Sequence, residues 1–317
     1  MAVPERLRER LRMLVARCNE TRLRRSSRTR GAALVFHAVA ARAGDPELEI
    51  EPAVAAERLD AAVAYLARRY ALVRAEDLPA VARKRRRGER IPVAVTFDDD
   101  LRSHRDHAAP VFRRHGAVAT AFLCGAREPF WWQLLQVAID TRAIAADGLA
   151  GVPRDLVEGA LARRPRAIGR LAKAIEDLDP NERDGVRAAL RAAVPTAEPM
   201  LGSDDAVVLE AAGWEIGFHT LRHDALPGLG GPELRKALQA GRDQRPAAPP
   251  RTLAYPHGKA GLRESRAACA AGYVAAYTGR AEVFTEQTDV HLIGRLQPDP
   301  ATLGRFALQL ARALVDP

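Results

Sequence analysis

Hydrophobic positions along the chain alternate between two periods, and the changes of period divide it into helices and strands. Leu7, Leu11, Leu14, Val15 and Cys18, with Val3 ahead of them, recur at three- and four-residue spacing among arginines, which predicts a basic amphipathic helix. Residues 32–36 form a short apolar run ending at His37, as a strand would that delivers a histidine from its C-terminal end. Val54, Leu59, Val63, Leu66 and Tyr70 return to a helical period, and residues 70–73 can open a second short strand. Residues 91–97 (IPVAVTF) are a β-rich run that stops at three carboxylates, Asp98, Asp99 and Asp100. A helical stretch to His115, a stop at Gly116 and an apolar run at 117–123 follow. Strand-like runs at 214–218, 252–255 and 273–277 then alternate with helical patterns at 203–212, 232–241 and 261–271. This alternation predicts an α/β fold built on a parallel sheet.

Residues 126–200 break the rhythm with Ala, Arg and Leu in helical patterns, interrupted at 151–153, Pro165, Pro180 and Pro195, and read as a mostly helical insertion. Its opening cluster, Phe130-Trp131-Trp132, suits a sugar-stacking platform, a lipid-facing wedge or the core of the insertion, with core packing favoured because aromatics usually anchor cores. The expected organisation is a basic N-terminal segment, residues 1–30, and one domain, residues 31–317, that carries the insertion. A length of 317 residues, 47% of them hydrophobic, is enough to bury a core and excludes global disorder. Cys18, Cys124 and Cys269 are too few and too scattered for a disulfide framework or a four-cysteine zinc site, which points to a reducing compartment or indifference to redox. No apolar run approaches the roughly 18 to 20 residues of a membrane-spanning helix. The N-terminus also lacks the apolar core and cleavage site of a secretory signal, so a cytoplasmic location, peripheral to the inner membrane at most, is expected.

The formal charge of +9 is unevenly distributed. Residues 1–30 hold ten arginines against three glutamates, and residues 81–90 hold six basic residues against one glutamate. Together they carry a surplus of 12, and the remainder of the chain stands at −3. The amphipathic N-terminal helix suits either docking on its own domain with a solvated arginine face or lying on an anionic membrane surface. Nucleic-acid binding through the arginine runs ranks last, because they lack interleaved aromatics.

Two clusters follow strand-like runs, where barrel and open-sheet folds place catalytic groups. They are Asp98-Asp99-Asp100 and His219-Thr220-Leu221-Arg222-His223. A carboxylate and two imidazoles are ligands that Zn²⁺ or a neighbouring divalent ion accepts, and three protein ligands leave a position open for water. Such a site is hydrolytic, since the ion acidifies water and polarises a carbonyl.

VAVTFDDD resembles the first motif of the polysaccharide deacetylases, the NodB-homology or carbohydrate esterase family 4 domain. WEIGFHTLRH is similar to the second motif, RTLAYPHG to the third, and LVFHAV to the YHxV element of members whose first strand carries a histidine. RHGAVATAFL matches the stretch after the first motif, and the likeness runs from about residue 31 to about residue 298. The resemblance implies a distorted (β/α) barrel of seven or eight strands with the mostly helical insertion. It implies a metal, Zn²⁺ by first choice, on Asp99, His219 and His223, with Asp98 as general base and Arg251 paired to it. The backbone N–H of Tyr255 would stabilise the oxyanion, and His37 would protonate the leaving amine, with His291 in reserve. His257 is read as supporting the ligand residues or as structural. The implied activity is removal of N-acetyl groups, with release of acetate, from an N-acetylated carbohydrate that is an amino-sugar glycan or its precursor.

Two positions depart from the family pattern. Asp100 stands where glycine is usual, and Leu101 where an aromatic residue is common. They leave open a second reading, a catalytically inactive deacetylase-like domain that binds glycan or a protein partner.

Overall fold

The computed structural model describes residues 4–125, 129–195, 200–242 and 249–316. Val3 of the predicted stripe, and residues 126–128 and 196–199 of the predicted insertion, lie outside them. The chain divides into two compact units, one formed by residues 1–41, 54–125 and 201–317, the other by residues 42–53 and 126–200.

The larger unit is built on seven parallel strands: β1 (Ala32–Phe36), β4 (Ala71–Val73), β5 (Pro92–Asp98), β6 (Thr120–Leu123), β7 (Glu215–Phe218), β8 (Thr252–Ala254) and β9 (Ala275–Tyr277). A separate two-stranded pair joins β2 (Val39–Ala40) to β3 (Val54–Ala55). The hub is β5, buried at every position, which is why it reads as an unbroken apolar run rather than an alternation. Along one edge it pairs with β1, placing Phe36 opposite Phe97. Its other edge is shared: β4 takes Pro92, Val93 and Ala94, and β6 takes Thr96, Phe97 and Asp98. The sheet continues through β7 and β8 to β9. A short segment then bridges its two ends, with Ile293 paired to Tyr277 and Leu296 to Leu34. The sheet therefore curls into a barrel-like α/β architecture, with the C-terminal ends of β1, β5, β7 and β8 on one side.

Around it stand α1 (Glu5–Arg25), α2 (Ala56–Arg69), α3 (Leu78–Lys84), α4 (Ala109–Arg114), α9 (Ser203–Ala211), α10 (Gly231–Gln239), α11 (Leu262–Ala270) and α12 (Leu303–Val315). The α2 stripe of Leu59, Val63 and Leu66 is buried, as its period predicts. The stripe on α1 is not. This helix docks on α12 and α2 through Ala16, Leu23, Glu9 and Glu20, while Leu7, Leu11, Leu14 and Val15 are exposed. The reason is polar anchoring. Glu20 is buried, accepting from Arg69 at 2.6 Å and from the hydroxyls of Tyr65 and Tyr70, and Glu9 accepts from Thr302 and the Gly304 N–H at the start of α12.

A second polar network fills the end of the barrel away from Asp98. The Glu215 carboxylate accepts from Thr120 Oγ1 at 2.9 Å, from Thr252 Oγ1 and from the Glu76 N–H at 3.0 Å, tying β6, β7 and β8 together. Burial raises its pKa despite these bonds.

The smaller unit holds α5 (Trp131–Asp140), α6 (Arg154–Leu161), α7 (Ala167–Glu176) and α8 (Pro180–Ala193) around a core that includes Leu135, Ile139, Val157, Leu171, Ile175 and Leu190. Trp132 is buried, stacked on Phe130 at 4.3 Å with Trp131 edge-on. The three rings pack on one another rather than forming an open platform.

Gly217 shows how tightly β7 packs. A Cβ there would lie 2.4 Å from a ring carbon of Phe122 and 2.8 Å from Thr252 Oγ1. Gly217→Ala should therefore destabilise the chain by about 1–3 kcal/mol, read as a lower urea midpoint, and an unchanged midpoint would show that Phe122 can move aside.

Candidate metal centre

All the residues of the centre sit just at or beyond the C-terminal ends of parallel strands. Asp98 is the last residue of β5, with Asp99 and Asp100 after it, His219 follows β7, and His37 follows β1. The register that sets Phe36 beside Phe97 carries His37 to the level of Asp98.

Three donor atoms converge here. Asp99 Oδ1 lies 3.6 Å from His219 Nε2 and 3.4 Å from His223 Nε2, and the two imidazole nitrogens are 3.2 Å apart. Three vertices of a tetrahedron around an ion with bonds of about 2.0–2.1 Å would be separated by about 3.3–3.4 Å. The tautomer of His219 is fixed as well. A carbonyl can only accept, so the 2.8 Å contact from Nδ1 to the Ala254 carbonyl places a proton on Nδ1 and leaves the Nε2 lone pair facing Asp99. Burial pushes the His219 pKa down to about 4, against the pull of Asp98. Burial, then His219 and His257, hold His223 well below its ordinary value. Both rings are neutral at physiological pH, as ligands must be. The residues present thus fit a divalent ion of the borderline class.

The local backbone is bent to achieve this. Asp99, Thr220 and His223 all have left-handed φ angles, 65°, 61° and 53°, a conformation costing about 1–2 kcal/mol for residues with a Cβ. His257, also left-handed, packs edge-on against His223 with ring centroids 4.6 Å apart.

Asp98 is buried and gripped at both oxygens by Arg295, at 2.6 Å each. Arg295 is itself buried, and donates further to Thr96 Oγ1 at 3.2 Å and to the Thr278 carbonyl at 3.1 Å. Burial alone would raise the Asp98 pKa, but the charge of Arg295 and its two hydrogen bonds outweigh it and hold the carboxyl well below its usual range.

No family model matches the chain, and no curated protein matches it in sequence. Solved structures do share its fold. Streptococcus pyogenes deacetylase PplD, in complex with acetate, superposes with a TM-score of 0.61 at 12% identity, covering 91% of this chain and 99% of that one. The chain has the fold of a polysaccharide deacetylase. A polysaccharide deacetylase from Bacillus cereus gives a TM-score of 0.56 at 15% identity over 90% of this chain and 69% of that one. IcaB from Ammonifex degensii gives 0.53 at 16% identity over 92% and 98%.

On this fold, three sequence expectations need correction. Arg251 does not pair with Asp98: it precedes β8, at the opposite end of the strand, and its exposed side chain approaches Glu76 at 3.6 Å. A three-residue strand spans about 10 Å, too far for it to reach the site. The Tyr255 N–H is already committed to the sheet, donating to the Tyr277 carbonyl at 2.9 Å, because the β8–β9 ladder runs one residue past β8. His291 is not brought to the cluster either, since its Nε2 meets the Tyr273 carbonyl at 2.8 Å, before β9. His37 follows β1 at the level of Asp98, on the same side of the barrel as the cluster.

Sequence reading missed Arg295 and His104. Arg295 carried one signal, a lone cation inside the apolar run Leu292-Ile293-Gly294-Arg295-Leu296. Gly294 lets that run approach the carbonyls of Arg280 and Glu282, which a Cβ would meet at 2.6 and 2.7 Å. His104 is fully buried and donates from Nε2 to the His37 carbonyl at 3.2 Å, holding the backbone that presents His37.

Two predictions follow from these geometries. The wild-type chain should bind one divalent ion, and His223→Ala should weaken it by at least about 100-fold in calorimetric titration, since lesser losses are typical of residues that only support a ligand. Burial also pushes the His104 pKa down to about 3, only partly offset by its bond to His37. An unfolded histidine titrates near 6.5, so the unfolded chain takes up this proton first. The contribution is complete above about pH 6.5 and is lost as pH falls towards 3. His104→Gln should flatten the fall of the urea midpoint across that window, and an identical slope in both proteins would exclude His104 as its source.

Proposed function

We propose that this chain is a metal-dependent hydrolase that removes N-acetyl groups from an amino-sugar glycan or glycan precursor and releases acetate. The observation that carries the reading is the Asp99, His219 and His223 donor triangle set against an arginine-held Asp98, on the fold of the polysaccharide deacetylases. That PplD was solved in complex with acetate supports the same product class.

Asp99, His219 and His223 would hold a divalent ion, Zn²⁺ by first choice, which when bound supplies a Lewis acid for the acetamide carbonyl and for an attacking water. The chain's own groups do the rest. Asp98 is kept ionised by Arg295 and takes the proton that the water gives up as its oxygen bonds to the carbonyl carbon. Asp98 Oδ2 lies 3.8 Å from His219 Nε2, so the base borders the ligand cluster. His37, held through its carbonyl by His104, gives a proton to the amide nitrogen as the C–N bond breaks. Acetate and a free amine result, and the chain is restored when Asp98 gives up the proton it took and His37 regains the one it gave.

Acetate release from an N-acetylglucosamine oligomer, measured with and without added divalent ion, tests this reading. Asp98→Asn should keep metal binding while lowering kcat by about 100- to 10,000-fold, the range expected for a lost general base. A metal-binding chain that releases no acetate, or an Asp98→Asn variant as active as wild type, would instead favour the glycan- or protein-binding alternative.

A further inference from the structure

We propose that the outward face of α1, together with the arginines at the end of α3, is a docking surface for an anionic lipid bilayer. Leu7, Leu11, Leu14 and Val15 form one stripe on this helix and are 48%, 50%, 58% and 41% exposed. Arg8, Arg10, Arg17, Arg22 and Arg25 are exposed alongside them. The acids of the helix are segregated from this face: Glu9 and Glu20 are turned inward onto α12 and α2, and Glu5, in the first turn, is paired with Arg8 at 3.4 Å and Arg12 at 2.9 Å. The outcome is an apolar stripe with a cationic border, which is the pattern of a helix that lies in a lipid interface.

The tertiary structure adds a second basic segment that lies some 60 residues away in sequence. The Gly88 N–H donates to the Arg24 carbonyl at 2.7 Å, and the Arg85 guanidinium donates to the carbonyls of Ser26 at 2.7 Å and Arg28 at 2.9 Å. The end of α1 and the loop after α3 are thereby sealed together. Between them lies a cleft of about 350 Å³ lined by Thr21, Arg24, Arg25, Arg69, Arg87 and Gly88. The two segments that hold the surplus of 12 positive charges thus meet on one surface.

Charge complementarity selects the occupant. Lipid phosphates match the arginine cleft while acyl chains cover the leucines, with each arginine near an anionic surface strengthening binding about five-fold. A second copy of the chain would bring arginine borders against each other, and a nucleic acid would leave the leucines in water. The loop carrying Arg87 leads into the N-terminal end of β5, opposite Asp98 and Asp99 at its other end. Substitutions on this surface therefore leave the metal centre untouched.

The test is co-sedimentation of the full chain with vesicles of phosphatidylcholine alone or with about one-third phosphatidylglycerol. Binding is expected only to the anionic vesicles, weaker at high salt. Leu11→Asp with Leu14→Asp, and separately Arg22→Glu with Arg25→Glu and Arg87→Glu, should each weaken it at least about ten-fold at an unchanged urea midpoint. Equal binding to both vesicles, no binding to either, or full binding by the well-folded variants would overturn the proposal. So would a dimer that Leu11→Asp with Leu14→Asp dissolves while vesicles fail to bind.

Discussion

The buried pair of Asp98 and Arg295 is the contact on which the strand C-terminal end of the barrel depends. One partner ends the hub strand and the other lies in the segment that bridges the sheet's two ends, so a single bidentate contact joins the barrel's closure to the candidate metal centre. Removing either side would leave an uncompensated buried charge, at a cost of about 3–5 kcal/mol. The same pair keeps Asp98 ionised although burial opposes it, and so makes a proton acceptor out of a carboxyl that would otherwise tend to neutralise.

The donor triangle depends on this frame in turn. His219 points its Nε2 at Asp99 because its other nitrogen is held by the Ala254 carbonyl, at the end of the neighbouring strand. Left-handed turns at Asp99 and His223 aim their side chains inward, and such strain persists only where the surrounding structure over-determines it. Asp100, where glycine is usual in the family resembled, is buried behind this turn, and its carbonyl accepts from the Leu201 N–H at 2.8 Å.

The two ends of the larger unit carry different electrostatics. At the strand C-termini the charged groups are few and buried, with Asp98 paired to Arg295. At the far end, the close of α1 and the loop after α3 gather arginines on an exposed surface. Inward-facing Glu9 and Glu20 let α1 dock while Leu7, Leu11 and Leu14 stay outside, so an apolar stripe is not a sufficient guide to which face of a helix is buried.

Local sequence determined the parts of this protein that depend on local physics. The periods of 91–97 and of Leu59, Val63 and Leu66 dictated a buried strand and a one-sided helix. Carboxylates at the end of one strand and HTLRH directly after another marked a candidate metal-ligand cluster, and the family resemblance implied Asp99, His219 and His223 within it. What lay beyond its reach required non-local pairing. The resemblance pointed to Arg251 as the partner for Asp98, but the partner is Arg295, because the barrel's bridging segment brings it there while Arg251 stands before its strand, at the wrong end. The Tyr255 N–H is taken by a ladder whose partner lies 22 residues downstream. The direction in which α1 faces was likewise settled by carboxylate contacts to α2 and α12, remote in sequence. Periodicity records that a helix has two faces, and only tertiary packing decides which of them meets water.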